Sequence, residues 1–209
     1  MTSSSVNYCQ TSSCTLPETP EEVTRTDSKI IFGFWIYVMT DAIMFATLFA
    51  VYAVLHHNTY GGPGIQQVAT LHHMLIQTLI IIISAFTLGL STAAFYRGHR
   101  TQVLVWLLVS FLLGLAFLNI EFHDLSNLVA HGYNWTQSAF LSSYFALIGI
   151  HAVHIIFALL WMVVLFLQVT GKGLTQMMQT RFTCLGLFWN FLNLIWILTF
   201  VIVFLMGAL

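Results

Sequence analysis

The sequence predicts an all-α integral membrane protein: a bundle of five transmembrane helices, with the N-terminus cytoplasmic and the C-terminus outside. Three observations carry that reading. Charged residues make up 6% of the 209 positions and hydrophobic ones 58%, whereas a soluble domain carries about 25% charged residues to cover its wet surface. Five long apolar runs follow one another, each continuously apolar rather than alternating, which favours helices over a membrane barrel. The basic residues sort to one side. Arg25 and Lys29 precede the first run, Arg97 and Arg100 separate the second from the third, and Lys172 and Arg181 separate the fourth from the fifth. With five crossings these three places share one face, and the opposite face has no Lys or Arg, so the positive-inside rule puts the N-terminus in the cytoplasm. A formal net charge of −1 offers nothing to a nucleic-acid partner.

Taken in order, residues 1–28 are rich in Ser, Thr, Pro and Glu and poor in large apolar side chains. Such a segment cannot offset its ordering entropy by burial, so a disordered cytoplasmic tail is expected. It lacks the basic start and apolar core of a signal peptide. The membrane domain then covers 29–209. Its first span is about 30–55, interrupted only by Asp41, and a turn-forming loop with Gly61, Gly62, Pro63 and Gly64 follows. The second span is about 71–96. A short basic loop with Arg97 and Arg100 leads to the third, about 102–122, with Glu121 near its far end. A polar loop over 123–137 precedes the fourth span, about 139–168, which contains no Asp, Glu, Lys or Arg. Gly171, Lys172 and Gly173 mark a turn before the fifth span, about 182–206. Cys9, Cys14 and Cys184 form no disulfide or zinc pattern.

The polar residues inside the spans carry the chemistry. At 1.5 Å per residue, Asp41 falls roughly 16 Å from the cytoplasmic start of its helix, and Asn190 and Asn193 roughly 12 and 16 Å from theirs. Glu121 falls roughly 28 Å along its span, and His151 and His154 lie nearer the outside than the inside. Two polar layers are therefore expected: an inner one of Asp41 with Asn190 and Asn193, and an outer one of Glu121 with His151 and His154. Carboxyls and imidazoles at bilayer depth are costly unless paired or buried in protein. Each also has a plainer explanation: a carboxyl held in helix packing, an interfacial Glu121, imidazoles satisfied by packing hydrogen bonds. Metal ligation by His151 and His154 lacks an evident third donor, and bis-histidine haem lacks a central His on a facing helix. His72 and His73 sit at the outer end of span two, where a wet interface accounts for them. Gly89, Gly114 and Gly149, with Ser84, Ser91 and Ala93, have the composition of close helix approaches.

The run from Phe32 through Gly33, Phe34, Trp35, Ile36, Tyr37, Val38, Met39 and Thr40 to Asp41, followed by Phe45, Phe49 and Tyr52, resembles the opening helix of subunit III of haem-copper terminal oxidases. The likeness continues through Glu121, through Gly149-Ile-His151-Ala-Val-His154, similar to that family's Gly-x-His-x-x-His signature, and through Leu187 to Trp196. It covers about 29–209. The five-helix form and the Gly-Gly-Pro loop are similar to the cytochrome o ubiquinol oxidase branch. One departure stands out: the family pattern typically has His and Asp where this chain has Asn190 and Asn193, which keeps hydrogen bonding and removes charge. The resemblance implies an accessory subunit, without catalytic, cofactor or metal residues of its own, in a bacterial inner (cytoplasmic) membrane. Its partners would be the catalytic subunit I, which carries the haems and copper, the other oxidase subunits and phospholipid. Asp41, Glu121, His151, His154, Asn190 and Asn193 would then serve packing, lipid or interface contacts. Two other classes fit a small, histidine-bearing bundle: a proton-coupled transporter, which more often shows repeats and helix breaks, and a haem-bearing quinone-site anchor, which needs axial ligands on two helices.

Overall fold

A computed structural model describes residues 20–55, 71–130, 133, 138–172 and 176–208. The described chain is helical: α1 Pro20–Leu55, α2 Leu71–Tyr96, α3 Arg100–Ala130, α4 Ala139–Lys172 and α5 Gln176–Ala208. All five contain a stretch long and apolar enough to cross a membrane, which makes this a multi-pass membrane protein. The expected Gly-rich loop at 61–64 and residues 1–19 of the expected tail lie outside the described residues. Helix α1 begins at Pro20, inside the segment expected to be a tail; proline suits the first helical position because the N–H it lacks has no helical partner there.

The helix ends show why the turns fall where they do. After α2, Gly98 takes φ +75, the amide of Gly98 bonds to the carbonyl of Phe95 at 3.0 Å and that of His99 to Ala94 at 3.3 Å. This is the Schellman arrangement, and it requires a residue at ease in the left-handed region. Helix α4 starts on Ser138, whose Oγ accepts the amide of Leu141 at 3.1 Å, an N-cap that satisfies one orphan donor.

Helix α3 differs from expectation. It runs on to Ala130 through the stretch expected as a polar loop at 123–137. The reason lies in the interleaving of residue types. Leu128 is buried and Leu125 packs against the core, while polar residues around them find partners. Asp124 Oδ2 accepts from Gln77 Nε2 at 3.0 Å and Asp124 Oδ1 lies 3.3 Å from His73 Nδ1, and Asn127 meets His123 one turn back. The polar stretch is thus a helical extension clasped by the start of α2.

Helices α4 and α5 pack together in the middle, with α1 on one side and the α2/α3 hairpin on the other, α2 against α5 and α3 against α4. The hairpin is zipped by serines. Ser84 and Ser110 each donate to the other's carbonyl or hydroxyl at 3.0–3.2 Å, and Ser91 donates to the Val103 carbonyl at 3.0 Å. Small residues let the backbones approach, and their hydroxyls are satisfied across the seam. Gly114 is the tightest of the described glycines: a Cβ there would lie 2.8 Å from Leu159 and 2.9 Å from Trp189. Ser84, Ser91 and Gly114 therefore stand at close approaches as expected. Gly89, Gly149 and Ala93 do not. A Cβ at Gly89 or Gly149 would meet nothing within 4 Å, and Gly89 and Ala93 line an open groove between α1, α2 and α5.

Candidate functional site

The polar interior is organised around α4. His151 and His154 are three residues apart, so their directions differ by roughly 60° around the helix axis. One turns to α3 and the other to α1. His151 Nδ1 lies 3.9 Å from Glu121 Oε1, the two side chains 1% and 3% exposed. His154 Nε2 lies 3.6 Å from Asp41 Oδ2, with exposures of 17% and 13%. This corrects the expected layers. His151 keeps Glu121 as expected, but His154 leaves that layer and partners Asp41, and the asparagines go elsewhere. Asn193 is buried and its Nδ2 donates to the Trp189 carbonyl on its own helix at 2.8 Å. Asn190 is exposed and lines the α1/α2/α5 groove.

Each imidazole is held the same way. His154 Nδ1 is 2.8 Å from the carbonyl oxygen of Ile150, and His151 Nε2 is 3.3 Å from that of Leu192. A carbonyl only accepts, so these nitrogens carry the hydrogens they donate. The remaining nitrogen of each ring therefore confronts a carboxyl oxygen. Two acceptors facing each other repel, and one proton on either makes them partners. Both pairs thus call for one proton each. In the apolar interior that proton also removes the cost of an isolated carboxylate.

The rings around the pairs fix their orientation. His151 lies between Phe117 of α3, centroids 6.0 Å apart and edge-on, and Trp196 of α5 at 5.3 Å; Trp196 donates its indole hydrogen to Thr78 of α2 at 3.2 Å. His154 lies against Phe45 of α1 at 5.4 Å and Phe188 of α5 at 6.3 Å. Tyr37, one turn before Asp41, interacts with its carboxyl. Beside this second pair opens a groove of about 560 Å³ walled by Phe34, Tyr37, Phe157, Trp161 and Phe188 with His154 at its floor. At the opposite end of the bundle, Arg100 donates to the Thr170 carbonyl and Arg181 donates to Gln168 at 2.7 Å, placing cations near the C-terminal end of α4, where the helix dipole favours them.

Sequence reasoning missed the split of the histidines, the role of Tyr37 and the clasp of His73 and Gln77 on Asp124. The i, i+3 spacing of the histidines held the signal for the first, since it aims two rings at different neighbours. No three His, Cys, Asp or Glu side chains among the described residues converge on a point that could hold a metal ion.

A model of cytochrome c oxidase subunit III matches residues 20–208, which takes in every helix and both pairs. The chain belongs to that family. Among curated relatives, the cytochrome bo(3) ubiquinol oxidase subunit 3 of Pseudomonas aeruginosa is 46% identical over 179 residues, covering 86% of each chain. The protein of the same name from Pseudomonas putida is 40% identical, again covering 86% of each. The quinol oxidase subunit 3 of Bacillus subtilis is 33% identical over 187 residues, 90% of this chain and 92% of its own. As a subunit III of the haem-copper oxidase family, the chain is one piece of a multi-subunit oxidase, a setting consistent with haem and copper held by a partner subunit.

Proposed function

We propose that this chain is an accessory, cofactor-free subunit of a haem-copper quinol oxidase, which stabilises the catalytic subunit and binds phospholipid in a bacterial inner membrane. The family match over residues 20–208 is the observation that carries this reading. Relatives whose names specify ubiquinol or quinol oxidase extend it to the donor: the complex oxidises quinol, reduces oxygen to water and moves protons, and this chain supports it without passing electrons. The interior agrees with a supporting role, because both histidines are spent on carbonyls and carboxyls within the bundle.

Two features fit the partner and lipid contacts. In the most apolar stretch of α1 only 17% of residues are buried within the chain, against 28% to 44% in the other four helices, so α1 has the most apolar surface left for a neighbour. The α1/α2/α5 groove, about 820 Å³, is mostly apolar, with Thr92, Tyr96, Thr183 and Asn190 among its lining, and suits acyl chains whose heads sit at the helix ends. In this reading the N-terminus is cytoplasmic, with Arg97, Arg100 and Arg181 at the inner face. Affinity capture of the tagged chain from solubilised membranes tests the proposal: a large subunit bearing haem and copper should come with it, together with tightly held phospholipid. Capture of the intact chain with neither overturns it.

A further inference from the structure

One feature of the bundle is left unused by a purely supporting role. Both oxygens of Glu121 and Nδ1 of His151 are buried without a hydrogen-bond partner in the folded chain, although they face each other. One turn along α3, Asp124 reaches the outer surface of the helix ends: its carboxyl is 32% exposed and touches His73, itself 54% exposed, while Gln77 holds its other oxygen. Glu121 and Asp124 are three residues apart on one helix and so neighbours on its surface, close enough to interact electrostatically, though Glu121 turns to α4 and Asp124 to α2.

We propose that the Glu121/His151 pair is a proton-binding site that exchanges with the aqueous phase at the end of the bundle marked by His73 and Asp124. The bound species is one proton, and no electron moves. A hydronium ion at the helix end gives its proton to the Asp124 carboxylate and leaves as water. The Asp124 O–H bond then breaks as the proton passes to Glu121, which shares it with His151 Nδ1. His151 Nε2 keeps its own hydrogen on the Leu192 carbonyl throughout, so the ring does not turn. Three further titratable groups stand around the site: Asp124 on α3 acts on Glu121, and Tyr144 on α4 is acted on by Glu121, Asp124 and Tyr52 of α1. Helix α5 contributes the Trp196 ring against His151, which does not titrate, and α2 contributes His73 and Gln77 through Asp124. Rings of Phe117 and Trp196 flank His151 on two sides. The inference needs only the bundle, and it stands or falls apart from the oxidase reading.

The test uses the full chain in lipid nanodiscs, labelled with 15N-histidine, with the His151 signals assigned by their loss in His151→Phe. The Nδ1 signal should shift in Glu121→Leu. After transfer to D2O, the exchange of the shared proton should slow about tenfold in Asp124→Asn and in His73→Phe, a barrier rise of about 1.4 kcal/mol. His99→Phe, at the opposite end, should leave it unchanged. If Glu121→Leu does not fold, Glu121→Gln keeps the size and removes the acid. An Nδ1 signal indifferent to Glu121, or an exchange rate indifferent to both Asp124 and His73, overturns the proposal.

Discussion

On the α3 side of α4, Glu121 and His151 are 3% and 1% exposed, in a seam where Leu159 and Trp189 press onto Gly114. On the α1 side, Asp41 and His154 are 13% and 17% exposed, and His154 lines an aromatic groove. The parts are the same: one carboxyl on a neighbouring helix, one imidazole on α4, one carbonyl that takes the ring's other hydrogen. What differs is how well each is sealed. The lesson is that the same acid and imidazole can be a rigid interior pin or an adjustable edge, according to how closely the flanking helices approach.

Removing one partner separates the two most sharply. His151→Leu leaves Glu121 sealed and alone, and should cost about 3–5 kcal/mol of stability, read as a lowered denaturant midpoint in detergent and poor recovery. His154→Leu should cost less, about 1–3 kcal/mol, because Asp41 keeps Tyr37 and is partly exposed. Equal losses would break the comparison. Next come the glycines. Gly114→Val forces methyl groups into Leu159 and Trp189 and should cost about 1–3 kcal/mol. Gly149→Ala, with open space around it, should stay within about 0.5 kcal/mol. The smallest effect is expected of Asp41→Asn in the assembled complex: steady-state oxygen uptake should remain close to wild type, since in the proposed function no electron passes Asp41. Near-complete loss with normal assembly would show the edge pair to be part of the turnover.

Much of the fold is legible in the sequence, because bilayer burial demands continuous apolar runs and those runs are easy to bound. The second span coincides with α2 at both ends, and Leu55 and Ala139 are also element ends. Helix α3 was harder: the stretch after Phe122 is too polar to read as buried, and it is helical because α2 supplies partners for Asp124. The pairing of the intramembrane polar residues was legible only in part. Glu121 with His151 could be read from depth. Asp41 with His154 could not, since His151 and His154 differ in depth by only about 4.5 Å, finer than counting from helix starts can sort. Their angular separation decides the partners. Asn190 and Asn193 went astray for the same reason: three residues apart on α5, one turns outward to the groove and the other inward to its own helix.

The central claim is that these buried imidazoles hold helices and a proton, not a metal centre. A visible absorption spectrum with metal analysis of this chain, separated from its partner subunits after capture of the intact complex, tests it most directly. The account predicts a colourless polypeptide, with the haem and copper remaining on the large subunit. Iron or copper retained by this chain, and lost in His151→Phe or His154→Phe, would contradict it.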